Sequence, residues 1–208
     1  MMLTLQSWQR LWNELGARVV NGGLMNQLVA AYSEQHRHYH TLQHLRECLA
    51  HFDAAASLAR RPAEVELALW FHDAVYDPRR EDNEARSAQW ARESVLAAGC
   101  EEAVADRLHG LVLATQAHRD DAGDLDTQLL LDIDLSILGA AGARFAEYER
   151  QIRAEYAHID EASFRAGRAR VLQGFLARPS IYLTAPYREA LEARARANIG
   201  QALAGLQA

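Results

Sequence analysis

An all-helical fold is what this sequence predicts, on three observations. Ala, Leu, Arg, Glu and Gln dominate the chain, and most of these lose little on entering a helix. The Val-Ile-Thr alternation typical of strands is almost absent. The four prolines, Pro62, Pro78, Pro179 and Pro186, fall where helices should begin or end.

The elements then follow in order. Helices are predicted at about 4–20, 23–35 and 40–60, and the next, about 62–76, is opened by Pro62 and stopped ahead of Pro78. Two more, at about 82–98 and 101–118, lie between the loop "YDPRREDN" (76–83) and the loop "HRDDAGDLD" (118–126). The last four are placed at about 126–138, 140–157, 160–178 and 185–205, with Pro179 behind the third of them and Pro186 in the first turn of the fourth. No repeat, low-complexity tract or break in composition divides the chain, so one all-α domain over residues 1–208, a bundle of about 8–10 helices, is expected.

Composition excludes several classes of function. Hydrophobic residues make up 50% and charged residues 24%, the balance of an ordinary globular domain. The net charge of −6 and the lack of a basic run argue against a nucleic-acid duplex as partner. Cys48 and Cys100 form no ligand-spaced pair and suit a reduced compartment, so a cytoplasmic protein is expected. The start "MMLTLQSWQRLWNELG" is amphipathic rather than a signal peptide, and no apolar run approaches the ~20 residues that span a bilayer. Nothing in the sequence decides against a homodimer.

Three segments carry chemistry. "LALWFHDAVYDP" (67–78) is apolar nearly all round until it ends in His72-Asp73, so both polar groups meet a core. A carboxylate in that setting needs a partner or a cation. "EQHRHYHTLQHL" (34–45) holds His36, His38, His40 and His44; His40 and His44, four apart, would share one helix face and could bind metal together. "QLLLDIDLSILG" (128–139) sets Asp132 and Asp134 inside an apolar run, where helix capping does not explain them. Together, His and Asp from three helices suit a divalent ion: Mn, Fe, Co, Ni, Zn or Mg.

The ordered set of a His, a His-Asp pair and a distant Asp resembles the HD superfamily of metal-dependent phosphohydrolases. The residues are His44 (or His40), His72-Asp73 and Asp134, and "RHYH", "WFHDAVYDP…DNEARSA" and "DIDLSILG" look like one bacterial branch of it. The resemblance covers about 35–140, the metal-site core, with the helices of 140–206 expected to pack on it. It implies an all-helical HD-type domain, a divalent ion held by His44, His72, Asp73 and Asp134, and hydrolysis of a phosphoester or phosphoanhydride, with a nucleotide as the expected substrate.

Further roles follow from the same resemblance. "YHTLQH" is similar to a Tyr-His-Asn-x-x-His segment of cyclic-nucleotide phosphodiesterases, which makes His44 the ligand and His40 the general acid. Apolar positions four and eight residues after His44, Cys48 and Phe52, favour that order; the reverse assignment stays open. Several HD hydrolases position the attacking water with His-Asp-x-x-Glu-Asp. Here Tyr76 replaces the Glu and leaves Asp77 as the acid, with a turn residue before Pro78 as the plain alternative. Arg37, His118 and Arg153 are the candidates for phosphate or substrate contacts, Arg153 with Tyr148 and Tyr156 on one helix. His118, with or without His109, could instead serve a second ion. Two other readings use the same ligands: a non-catalytic metal-binding or regulatory module, and a di-iron HD-type oxygenase.

Overall fold

The computed structural model describes residues 4–120 and 123–207. Residues 121–122 of the predicted 118–126 loop, and the first three residues of the N-terminal run, lie outside the described residues. Among the described residues there are ten α-helices and no strand, as the composition predicts. They are α1 (Leu5–Glu14), α2 (Gly22–Ala31), α3 (Leu42–Ala55), α4 (Pro62–Phe71), α5 (Asn83–Ala97), α6 (Glu102–Ala114), α7 (Leu125–Asp134), α8 (Gly142–Glu155), α9 (Glu161–Leu176) and α10 (Ala185–Gln207). None is long and apolar enough to cross a membrane.

The chain divides into two compact units, Met1–Asp134 and Leu135–Ala208. In the first, α4 is the central element: every residue from Glu64 to Phe71 is buried, and α1, α3, α5, α6 and α7 all pack against it. That encirclement is why its sequence is apolar on all sides. Its two acids are neutralised by forked arginine contacts. Arg107 donates to Glu64 at 2.6 and 2.8 Å, and Arg10 to Glu66 at 2.7 and 3.0 Å. The start of α4 is fixed by Pro62 at its first turn and by Asp126 of α7, whose carboxylate accepts from the backbone N–H of Arg60 and Arg61.

In the second unit, a 3-10 turn at Leu135–Gly139 meets α8 and α10, and α9 packs on α10. Asn198 donates to the carbonyls of Leu138 and Ala140, and Glu192 accepts from the backbone of Ile181 and Tyr182. Arg153 serves the α8–α9 corner. Its guanidinium donates to Glu161 and to the carbonyls of Tyr156 and Ile159, and it lies over the Phe164 ring. Arg153, the expected substrate contact, is thus held by bonds within this corner.

Helix ends differ from expectation at the N-terminus, where the predicted 4–20 stops at Glu14, and beside the polar segments. The predicted helix 62–76 stops at Phe71, the predicted 40–60 begins at Leu42, and the predicted 101–118 stops at Ala114. The run 126–138 turns from α-helix to the 3-10 turn after Asp134. Each of the four ends beside the polar segments delivers a side chain to the site.

Candidate metal centre

The site forms where α3, the exit of α4, the loop after α6 and the last residue of α7 converge. His44 sits in the first turn of α3, which starts at the N-cap Thr41, whose hydroxyl accepts from Gln43 N–H at 3.2 Å. His72 follows the last residue of α4 and donates Nδ1–H to the Leu69 carbonyl at 2.7 Å. That bond fixes the ring and leaves Nε2 of the neutral imidazole as a lone pair aimed away from the helix.

Four atoms meet there. His44 Nε2 lies 3.0 Å from His72 Nε2, 3.4 Å from Asp73 Oδ2 and 3.2 Å from Asp134 Oδ1. His72 Nε2 lies 3.0 Å from Asp73 Oδ2 and 3.5 Å from Asp134 Oδ1. Metal–ligand bonds of ~2.0–2.2 Å imply edges of about 3.3–3.6 Å in a tetrahedron and about 2.8–3.1 Å in an octahedron. The observed separations are therefore those of donors around one ion. Both imidazoles are buried, at 2% and 1% exposure, while Asp73 and Asp134 keep 15% and 12%. The two carboxylates are thus the less buried members of the cluster.

His44, Cys48, His72 and Asp134 offer ligand atoms that all lie within 4.8 Å of one another and are positioned to hold a metal ion. Cys48, one turn beyond His44, was legible only as a core residue. Its Sγ is 3.6 Å from His44 Nδ1 and 3.7 Å from Nε2. Near-equal distances to both ring nitrogens place the sulfur beside the imidazole, while Asp73 and Asp134 approach Nε2 at 3.4 and 3.2 Å.

The charges favour a cation. Burial opposes the imidazolium of His44, but Cys48 and Tyr39 and hydrogen bonds to Asp134 and Asp73 outweigh it and raise its pKa well above the usual value. Burial likewise opposes that of His72, and the Asp73 charge, Tyr32 and the two carboxylate bonds raise it. Asp73 is held well below the carboxylate range, against burial, by His72, then His40, then bonds from His44 and His72. Asp134 is held low, again against burial, by His118, His44 and His72. A proton held between the two Nε2 atoms, 3.0 Å apart, thus occupies the place a divalent ion would take. Ion uptake near pH 7 is expected to release protons. The sign follows from the raised imidazole pKa values: below them protons compete with the ion, so affinity falls as pH falls, while the low carboxylates add no competition. Calorimetric titration in two buffers of different ionisation heat counts the protons, and a count of zero would show imidazoles already neutral in the free protein.

The other predicted residues fall around this centre. His40 precedes the N-cap of α3, so the shared helix face inferred for His40 and His44 does not exist; a turn brings the rings together instead, 6.0 Å between centroids. His40 stacks on Tyr76 at 4.1 Å. Arg37, expected at a phosphate, has no exposed side-chain surface. It donates to Glu34 at 2.9 Å and to the carbonyls of His40, Asp73 and Ala74 at 3.2, 2.6 and 3.0 Å. Asp77, expected to orient water, is a turn residue: Oδ1 accepts from Arg79 N–H at 3.0 Å, and its own backbone is clasped by Asn83 at 3.1 and 2.9 Å. Ser87, one turn along α5, takes both backbone groups of Val75. His118, expected at a phosphate, bonds through Nε2 to Asp134 Oδ2 at 2.9 Å. His109 stays on α6, and Asp132 is buried. Tyr32, which the sequence did not single out, is buried at the end of α2 and accepts from Asp73 N–H at 3.3 Å. Burial, offset by His72, pushes its pKa up to about 12.

Fold and site together define an all-α protein with a buried His/Asp cluster suited to a divalent ion. Comparison with protein-family models, curated proteins and solved structures finds no match for this chain.

Proposed function

We propose that this protein is a metal-dependent phosphohydrolase of the HD type. The observation that carries the reading is the approach of two carboxylate oxygens to two imidazole nitrogens at 3.0–3.5 Å, with the carboxylates less buried than the imidazoles. A structural metal site is closed, whereas a catalytic one keeps a face open. His44, His72, Asp73 and Asp134 would hold the ion, which on a phosphate supplies Lewis acidity and acidifies a water molecule. Mn, Fe, Co, Ni, Zn or Mg suits such donors.

The chain's own groups supply the rest. Asp73, ionised and partly exposed, replaces Asp77 as the acid that can orient the attacking water. His40 is half-buried against Tyr76 and near His44, in place to donate a proton to the leaving oxygen. Next to it, His36 lies parallel to Tyr76, 6.4 Å between centroids, with its side chain 46% exposed. A flat aromatic surface beside the phosphate centre favours a nucleotide among phosphorylated small molecules.

The test is phosphate release from a panel of nucleotides and simple phosphomonoesters by protein stripped and reloaded with each ion. Absence of turnover with every ion would sink the hydrolase reading and leave a metal-binding module. His40→Ala is expected to keep its metal and lose roughly 10²–10⁴-fold in turnover, and less on aryl phosphates whose leaving group needs no proton. Loss of metal in that variant would exchange the roles of His40 and His44. One contact favours the di-iron reading, since His118 against the second oxygen of Asp134 is also where another ion could bind. Elemental analysis giving two irons per chain would select it.

A further inference from the structure

The two oxygens of Asp134 face different partners. Oδ1 lies 3.2 Å from His44 Nε2 and 3.5 Å from His72 Nε2, whereas Oδ2 lies 2.9 Å from His118 Nε2. We propose that His118 is a positioning residue for Asp134. It donates Nε2–H to Oδ2, stops rotation of the carboxylate and keeps the Oδ1 lone pair turned to the ion. The inference rests on Asp134 being a metal ligand, as proposed above, and does not require hydrolysis.

A second observation singles out this residue. His118 is the one non-glycine with positive φ among the described residues, at +47°, a region side-chain-bearing residues rarely adopt. Its N–H donates to the Ala114 carbonyl at 3.1 Å, closing the end of α6. On a continued helix His118 would follow the α6 axis; the left-handed turn takes it off that axis, and its imidazole meets Asp134. A glycine or asparagine would suit such a turn better. A histidine there, bonded to a ligand carboxylate, joins an unfavourable backbone conformation to a specific contact. Outer partners of this kind hold ligands in register, and their loss typically weakens metal binding 10–100-fold.

The experiment compares wild type, His118→Gly and His118→Gln by Co(II) titration of the stripped protein and by melting in chelator. His118→Gly suits the positive φ, so its metal-free melting temperature is expected to equal or exceed that of wild type. Its Co(II) affinity is expected to fall about 10–100-fold. His118→Gln, whose amide N–H reaches about as far as Nε2, should regain part of that loss. Unchanged affinity in His118→Gly would overturn the inference and reduce His118 to a turn residue. Two Co(II) ions per wild-type chain and one in the variant would also overturn it, in favour of direct ligation. A wild type that takes up no Co(II) removes the metal reading and this inference together. A wild type that binds Co(II), with the expected loss in the variant, supports the inference even where no phosphoester is cleaved.

Discussion

His72→Ala and Asp134→Asn are each expected to give a folded chain that no longer takes up a divalent ion and has lost essentially all phosphate release. His72→Ala removes one of the converging donor atoms together with the bond to Leu69 that fixes its tautomer, and Asp134→Asn removes the negative charge of another. An ion's stabilisation of charge on the reacting phosphate is worth several kcal/mol, so a rate loss of about 10³-fold or more is expected. The companion readout is thermal. An ion bound to the native state at a hundred times its Kd adds about 2.7 kcal/mol, or about 5–10 °C of melting temperature for a chain of this size. Wild type should show that rise on metal addition and lose it in chelator, while both variants melt at one temperature under either condition. A metal-dependent rise that survives in the two variants would remove His72 and Asp134 from the ligand set.

The sequence made His72, Asp73 and Asp134 legible for one reason. Polar groups in runs as apolar as "LALWF" and "QLLLDIDLSIL" need a compensating partner, and that argument depends on composition alone. The ten helices were legible on the same ground. What could not be read were the places where tertiary contacts end a helix. The helix before His72 stops because Arg37, from another segment, takes the carbonyls of Asp73 and Ala74, and Tyr32 takes the Asp73 N–H. Nothing within 62–76 announces that. α3 begins after His40, so the face argument built on i, i+4 spacing for His40 and His44 rested on a geometry the chain does not adopt. Asn83 and Ser87 were visible only as part of "DNEARSA". Their spacing of four puts both on one face of α5, from which they hold the backbone of residues 75–77. Cys48 was visible at the same interval from His44, but as an apolar position and not as a donor atom.

Arg37→Ala is expected to be strongly destabilising, although a phosphate-contact role predicts almost no loss of stability. The guanidinium ties residues 34–40 to the turn that carries His72 and Asp73, and it lies over the rings of Tyr32 and Tyr76 at 5.3 and 5.6 Å. Its removal leaves the carbonyls of His40, Asp73 and Ala74 short of donors. A buried acceptor without a partner costs about 1–3 kcal/mol. Some of that is recovered by water entering beside the partly exposed Asp73, so a net loss of about 3–5 kcal/mol is expected. Arg37→Lys should recover little, because one ammonium cannot present the planar fork that reaches Asp73 and Ala74 together. Urea unfolding of the metal-free proteins measures the loss without interference from the ion. Metal affinity should fall in step, since the Asp73 backbone is no longer fixed. An Arg37→Ala protein with wild-type stability and a raised KM would instead return Arg37 to the phosphate and show that its three carbonyl contacts hold nothing in place.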